Sequence, residues 1–356
     1  MINMIPILYE SNEILFNSNG LGRLRDCISC LCYEERNSIY EVDFEYPVTG
    51  ANFEKIKLGR IIGVTHDETD DIQPFDIVSY SRPIDGVVTF HCTHISYRQS
   101  KMVSYGSGIN SLADAFQAFD DTCYPSGNPF TYFTDKTSTG YASAFDGTPR
   151  SIRSLLGGVE GSILDTYGGE YEWDKFFVKL HSVRGIQRDF TIRYGVNMTD
   201  FQDDTDYSEA YNTCVPFWKS SDGTVVIGNE VSSGQGIIGN GDKCVPLDLS
   251  DKFENQPSTA DLESMALSVM ESNRPYLPSQ SISVDFIRLQ DEVGFDQFDS
   301  LLQCKLCDSI KVVFPHYNMS AYYKIVKTTW NVLLDRYDEM ELGNLSTTLA
   351  EALGVK

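Results

Sequence analysis

Short apolar runs that alternate with polar residues and end at turn residues constrain the fold of this chain more than any other feature. Such runs fill its N-terminal part, at 5–9, 39–46, 57–65, 75–79 and 87–96. In the last run Val88, Phe90 and Cys92 alternate with threonine and histidine, and a two-residue period is typical of a half-buried strand. Closely spaced strands of this kind predict a small antiparallel barrel or sandwich over 1–102.

A helical pattern follows this β unit. Ser111 and Asp114 have the spacing of a capping box, and the apolar residues after them recur at helical spacing. A stretch rich in Gly, Ser and Thr and a short helical pattern near 151–156 come next. These features predict an α+β unit over 103–185.

Alternation returns beyond that unit, with Phe190, Ile192 and Tyr194 on one face. The 356 residues exceed the roughly 250–300 at which one hydrophobic core stops growing, so a further unit is expected. We predict a second barrel over 186–257 and 281–343. A helical insertion over 258–280, in which Ser258 caps toward Asp261, interrupts this barrel, and a C-terminal tail covers 344–356. The predicted fold class is therefore α+β and mainly β.

The chain is strongly acidic. It has 51 Asp and Glu against 28 Lys and Arg, and its formal net charge of −23 repels a phosphate backbone and disfavours general nucleic-acid binding. The N-terminus lacks the basic region of a signal peptide, and no window approaches the ~20 apolar residues of a membrane-spanning segment. Nine cysteines, an odd number in a long chain, favour reduced thiols and folding in a cytoplasm.

Cysteine, histidine and acidic residues are scattered without a clear catalytic pattern. The C-x-x-C motifs at 27–30 and 304–307 could form a four-thiolate zinc site, but their apolar neighbours favour buried packing. His91 and His94 point to opposite faces of one strand. The acidic cluster at 203–209 lacks the glycine of a regular calcium loop, and 157–162 lacks the lysine of a phosphate-binding loop. We therefore predict no catalytic, cofactor-binding or metal-binding residues.

Several motifs in a fixed order carry a resemblance to a known family. The central ones are Leu155-Leu-Gly-Gly-Val-Glu-Gly-Ser-Ile-Leu-Asp-Thr-Tyr-Gly-Gly-Glu-Tyr-Glu-Trp173, Val183-Arg-Gly185 and Tyr194-Gly-Val-Asn-Met198. They resemble the phage minor structural protein or prophage endopeptidase tail family, the tail-associated lysin N-terminal region of siphophages. The motif residues are Gly157, Gly158, Asp165, Gly169, Glu170, Trp173, Arg184, Gly185, Tyr194, Gly195, Asn197, Asp308 and Gly343. Cys307 stands where the family usually has Gly, and if the turn there needs a positive φ, a cysteine would distort it.

This resemblance implies the fold of a phage baseplate hub, in which two related antiparallel β-barrel domains are joined by α+β domains. It also implies a homotrimeric ring whose doubled barrels match the sixfold tail tube. The implied partners are the distal tail protein ring and the tape measure or tail tube proteins, and phage DNA passes through without specific binding. The implied location is the tail tip of the virion, after assembly in the bacterial host cytoplasm. Part of the negative charge is then expected to line the lumen.

The implied function is structural and not enzymatic. In this family an enzymatic or receptor-binding module, when present, lies beyond the hub region, and the sequence extends only to Lys356, so we expect no hydrolase in it. Two alternatives stay open. One is a peptidoglycan-degrading tail endopeptidase, and the other is a carbohydrate-binding adhesion module, favoured only by the 20 Tyr and 20 Phe.

Overall fold

The structure is a computed structural model that describes residues 5–67, 71–195, 198–220, 222–236, 241–286, 304–317 and 319–343. The predicted motif residue Asn197 and the predicted tail at 344–356 lie outside the described residues. Within the described ranges, no helix has both the length and the apolar character to cross a membrane.

Strands dominate the chain. They are β1 (Ile7–Tyr9), β2 (Gly22–Arg23), β3 (Ser29–Glu35), β4 (Tyr40–Pro47), β5 (Ile61–Val64), β6 (Gln73–Ser81), β7 (Val87–His94), β8 (Val103–Ser104), β9 (Thr131–Thr134), β10 (Arg150–Ser151), β11 (Glu170–Asp174), β12 (Phe177–His181), β13 (Gln187–Arg193), β14 (Met198–Asp206), β15 (Thr213–Lys219), β16 (Val225–Ile227), β17 (Val231–Ser232), β18 (Cys244–Asp248), β19 (Ser279–Phe286), β20 (Ser309–Phe314), β21 (Met319–Asn331) and β22 (Arg336–Gly343). The helices are α1 (Leu112–Asp121), α2 (Ile152–Leu156), α3 (Ile163–Tyr167) and α4 (Thr259–Asn273), with 3-10 turns at Phe53–Lys55, Ile95–Lys101, Ser250–Lys252 and Pro315–Tyr317. The predicted mainly-β, α+β class is confirmed.

One large sheet organises the fold. Its hydrogen-bonded order is β14-β19-β22-β21-β3-β4-β7-β6-β5-β1-β2, and β20 branches from β21 to pair with β13. All neighbours along the main path are antiparallel, whereas β13 and β20 are parallel. The N-terminal strands and the C-terminal strands therefore belong to the same sheet.

The alternation that predicted the N-terminal strands determines what they bury. Every second residue of β3, β4 and β7 is buried, and Phe44 stacks on Phe90 with ring centroids 4.8 Å apart. Cys30 and Cys32 lie in this core, where burial raises the pKa of both thiols. Among the described residues, no three His, Cys, Asp or Glu side chains are grouped so that they could hold a metal ion.

The central α+β segment packs on the same core. Helix α1 begins where the sequence predicts, because the Ser111 hydroxyl accepts a hydrogen bond from the Asp114 amide at 3.2 Å. Helices α2 and α3 follow, and β11, β12 and β9 form a three-stranded sheet. Buried residues of this segment, such as Phe119 and Leu164, are contiguous with those of the large sheet, so one core runs through both.

The segment around the predicted helical insertion has its own sheet. Strands β15 to β18 lie in the range that the sequence assigns to the second barrel, and in the described part of the chain they pair with one another and pack on α4. The capping box of Ser258 and Asp261 at the start of α4 is present, as predicted. This small core contains Trp218 and Leu262 and is separate from the large one.

Strands β3 and β21 form the seam between the N-terminal and C-terminal parts of the large sheet. They are antiparallel neighbours from the pair Lys327 and Glu35 to the pair Asn331 and Leu31. One step beyond the strand end, the Arg36 amide donates to the Val326 carbonyl at 2.8 Å. The end of β3 also lies beside the start of β11 and the chain that follows β12, and charged residues meet there.

Candidate functional site: a buried ionic junction

The structure brings several motif residues together at one place and leaves others apart. Glu170, Arg184, Gly185 and Asp308 lie beside the seam. We call the buried charged cluster of Glu34, Arg36, Glu170, Arg184 and Lys324 the ionic junction. It connects β3, the α+β segment and β21, which are far apart in sequence.

Glu170 is the centre of the ionic junction. The Lys324 ammonium donates to both of its carboxylate oxygens at 2.6 Å, and Arg36 Nη1 donates to Oε1 at 3.3 Å. The backbone amide of Arg184 donates to Oε2 at 2.6 Å. The side chains of Glu170 and Lys324 are only 11% and 8% exposed, so this is a charge pair almost without solvent. A buried charge is tolerated when it is paired in this way.

Arg184 makes the second contact between the segments. Its guanidinium donates through Nη2 to Glu34 Oε1 at 2.9 Å and through Nη1 to the Tyr171 carbonyl at 2.9 Å. Burial alone would lower the pKa of Arg184, but the nearby negative groups, with Glu34 contributing most, together outweigh burial and raise the pKa above its ordinary value. Arg184 is therefore a permanent cation in this structure.

Asn37, an uncharged residue, makes two further hydrogen bonds at the same place. Its Nδ2 donates to the Gly169 carbonyl at 3.1 Å, and its Oδ1 accepts from the Tyr171 amide at 2.8 Å. A single asparagine thus joins the chain on both sides of Glu170 to the turn after β3. Gly169 has a φ of +112°, and a Cβ there would meet the His181 carbonyl oxygen at 2.7 Å, so a side chain cannot fit.

A turn before β20 is held against Gly185. Asp308 accepts from the Ile186 amide at 2.7 Å and from Arg188 Nε at 2.6 Å. Gly185 has a φ of +83°, and a Cβ there would collide with the backbone of Cys307. Cys307 has a φ of +72°, so the turn has the positive φ that the sequence raised as a concern, and a buried thiol occupies it. Burial raises the pKa of this thiol to about 12.

The remaining motif residues lie elsewhere. Gly157 ends α2, and Asp165 in α3 accepts from the Gly161 amide at 2.7 Å. Tyr194 packs on Phe314 with ring centroids 4.7 Å apart, and Gly343 is the register partner of Lys324 on β22. The other members, Gly158, Trp173 and Gly195, lie after α2, in β11 and after β13.

The predicted motif residues do not include four members of this site, Glu34, Arg36, Asn37 and Lys324. A signal existed for Glu34, because it continues the buried face of Cys30 and Cys32 at the two-residue period. A charge at a core position predicts a buried partner, but the partner's place in the chain depends on the tertiary fold. Chemically, both carboxylate oxygens of Glu170 already accept strong hydrogen bonds, so the ionic junction is suited to fastening segments together.

Comparisons with known proteins bear on the fold. No family model matches the sequence, and no curated protein matches it. Among solved structures, the chain is similar to a prophage tail protein, gp18, from Listeria monocytogenes EGD-e. The TM-score is 0.65 at 13% identity, over 98% of this chain and 97% of the other.

Two further solved structures are similar over nearly their whole length. The tail protein from Neisseria meningitidis MC58 has a TM-score of 0.58 at 9% identity, with 98% and 99% coverage. The 43 kDa tail protein of prophage MuSo2 from Shewanella oneidensis has a TM-score of 0.57 at 10% identity, with 96% and 98% coverage. The chain that forms this seam and this ionic junction therefore has the fold of prophage tail proteins.

Proposed function

We propose that this protein is a structural component of a phage tail, a hub at the tail tip, and not an enzyme. The fold similarity to three tail proteins over nearly the full length of each chain supports this proposal. The sequence motifs support it independently, because their order and spacing do not depend on the fold similarity. In the proposed hub, 1–102 and the two segments 186–257 and 281–343 correspond to the paired barrel domains, and 103–185 is the α+β domain between them.

The ionic junction is the observation on which the proposal chiefly rests. A protein that acts by its shape must keep distant segments fixed relative to each other, and Glu170 and Arg184 fasten three segments with buried, fully partnered charges. Such a cluster gives specificity of arrangement more than net stability. Its oxygens and nitrogens are already bonded to protein groups, which suits a fastening role better than a catalytic one.

The proposed assembly is a homotrimeric ring in the virion tail tip, formed in the host cytoplasm. Its partners are the distal tail protein ring and the tape measure or tail tube proteins. Phage DNA passes the ring without specific binding. Exposed carboxylates such as Asp204 and Asp206 on β14, which ends the path of the large sheet, are available to repel the DNA backbone.

Native mass spectrometry of the purified protein tests the assembly. We expect a species with three copies of the 40.0 kDa chain, and a stable dimer over the whole concentration range would contradict a threefold ring.

Zymography on peptidoglycan separates the structural role from the endopeptidase alternative, because clearing by the purified protein would overturn the structural proposal. Glycan-array binding by the isolated chain would favour the adhesion alternative instead.

A further inference from the structure

A cavity between the end of β3 and the α+β segment contains a charged group that the ionic junction does not use. Its volume is about 230 Å³. Its described lining includes Tyr97, Leu156, Gly158, Leu164 and the two aromatic residues of β11, Tyr171 and Trp173. Arg153 is the one charged side chain among the described lining residues.

The Arg153 guanidinium is held by aromatic rings. Its Cζ lies 4.3 Å from the centroid of the Trp173 ring and 4.6 Å from that of Tyr97. Tyr171 in turn stacks on Trp173 with ring centroids 4.8 Å apart. Cation–π contacts of this kind stabilise the cation, and together the rings fix where the guanidinium lies.

Several arginines of this protein pair with a carboxylate, and Arg153 differs from them. Arg98 donates twice to Asp76 at 2.7 Å, and Arg184 donates to Glu34 at 2.9 Å. Among the described residues, no carboxylate pairs with Arg153. Its hydrogen bonds are two long ones of 3.4 Å, to the Ser96 hydroxyl and the Ser38 carbonyl. Burial lowers the pKa of this guanidinium, since the desolvated cation is poorly compensated.

The cavity has the size and the walls for a carboxylate on an apolar stem. A water molecule takes about 30 Å³ of liquid volume, so 230 Å³ accommodates a side chain of several heavy atoms. Leu156, Leu164 and the aromatic rings provide apolar walls. A Cβ built on Gly158 meets no atom within 4 Å, so the backbone of a visiting segment can come close there.

We propose that this cavity is a docking site for an acidic peptide segment of a neighbouring protein, which inserts a glutamate side chain and pairs its carboxylate with Arg153. The planar guanidinium can donate two parallel hydrogen bonds to a carboxylate, and a complete pair replaces two long contacts with short charge-assisted ones. A single arginine without a lysine among the described lining residues suits one negative charge better than a phosphate. The inference does not depend on the tail-tip role.

Binding of short peptides to the full chain tests the proposal. The probe is the blocked peptide acetyl-Ala-Ala-Glu-Ala-Ala-amide, and the matched probe has Gln in place of Glu. Saturation-transfer NMR suits weak ligands of this kind. We expect saturable binding of the Glu peptide and at least about tenfold weaker binding of the Gln peptide, a difference of about 1.4 kcal/mol. Equal binding of both peptides, or binding of neither, would overturn the proposal.

Two competition experiments distinguish an acidic side chain from other sources of negative charge. A peptide of five alanines with a free C-terminal carboxylate tests whether a chain end is the better ligand. Inorganic phosphate at matched ionic strength tests for a phosphate site. We expect neither to displace the Glu peptide, and displacement by either at lower concentration than the Glu peptide itself would refute the assignment to an acidic side chain.

Variants connect the binding to Arg153. R153Q removes the charge and should abolish binding of the Glu peptide, while R153K keeps the charge without the planar fork and should weaken it several-fold. R82Q is the matched control, because Arg82 also lies over an aromatic ring, 4.4 Å from the centroid of Tyr80, but outside the cavity. Unchanged binding by a folded R153Q variant would overturn the proposal, and the comparison of the two peptides on the unmodified chain needs no variant.

Discussion

Removing the negative charge at the centre of the ionic junction should destabilise the protein far more than removing a surface charge. In Glu170→Gln the shape is kept, but Lys324 and Arg36 each lose an ion pair with this carboxylate while their side chains are each only 8% exposed. Breaking a buried pair from one side costs about 3–5 kcal/mol. Because the amide oxygen that E170Q introduces can still accept one hydrogen bond, we expect a loss at the lower end, about 3 kcal/mol.

The assay is urea unfolding followed by circular dichroism, with the free energy of unfolding extrapolated to water. Glu10→Gln is the control, because Glu10 pairs with Arg60 at 3.0 Å but is 50% exposed, and such a pair contributes about 0–1 kcal/mol. The double variant E170Q/K324M removes both charges, so it should lose less than the sum of the single variants by about 1–3 kcal/mol. A loss for E170Q no larger than that for E10Q, or strict additivity in the double variant, would refute the reasoning.

Three further outcomes follow from single positions. Gly185→Ala should lower the free energy of unfolding by about 1–3 kcal/mol more than Gly59→Ala. Gly59 has a similar φ of +79°, but a Cβ built there meets no atom within 4 Å. Calorimetry of both variants therefore isolates the cost of the steric overlap at Gly185. Cys244 is the exposed cysteine among nine that form no disulfide, so it should react first with a thiol reagent, and Cys244→Ser should remove that fast phase. Burial would raise the pKa of Asp174, but hydrogen bonds from Gln73 and Lys179 lower it to about 2, below the ordinary 3.8. The contribution of Asp174 to the free energy of unfolding is fully present above about pH 4 and is lost as pH falls toward about 2. After allowance for solvent screening, Asp174→Asn should therefore remove about 1 kcal/mol of acid-dependent stability, measured by denaturation at about pH 2 and about pH 5.

Local pattern was enough to predict the strands and caps, because their signals lie within a few residues. The alternation around Phe90 and the capping residues Ser111 and Ser258 correspond to elements at the same places in the structure. The pairing of the strands between residues 213 and 248 could not be predicted in this way. The strands β15 to β18 have the same local pattern as their neighbours, and only long-range pairing decides that they form a separate sheet.

Only some residues of the ionic junction could be predicted from the sequence. Glu170 and Arg184 are among the predicted motif residues and Lys324 is not, and its neighbours Tyr323 and Ile325 are typical of any buried strand. The partners are separated by more than a hundred residues, and no periodicity spans that distance. Buried charges are predicted in pairs, but the sequence alone does not give the pairing.

The seam of β3 and β21 has a mechanical consequence. The two strands are antiparallel, so Leu31 on the N-terminal side of β3 lies opposite Asn331 on the C-terminal side of β21, and a force that pulls these two residues apart opens the backbone hydrogen bonds of the seam one after another.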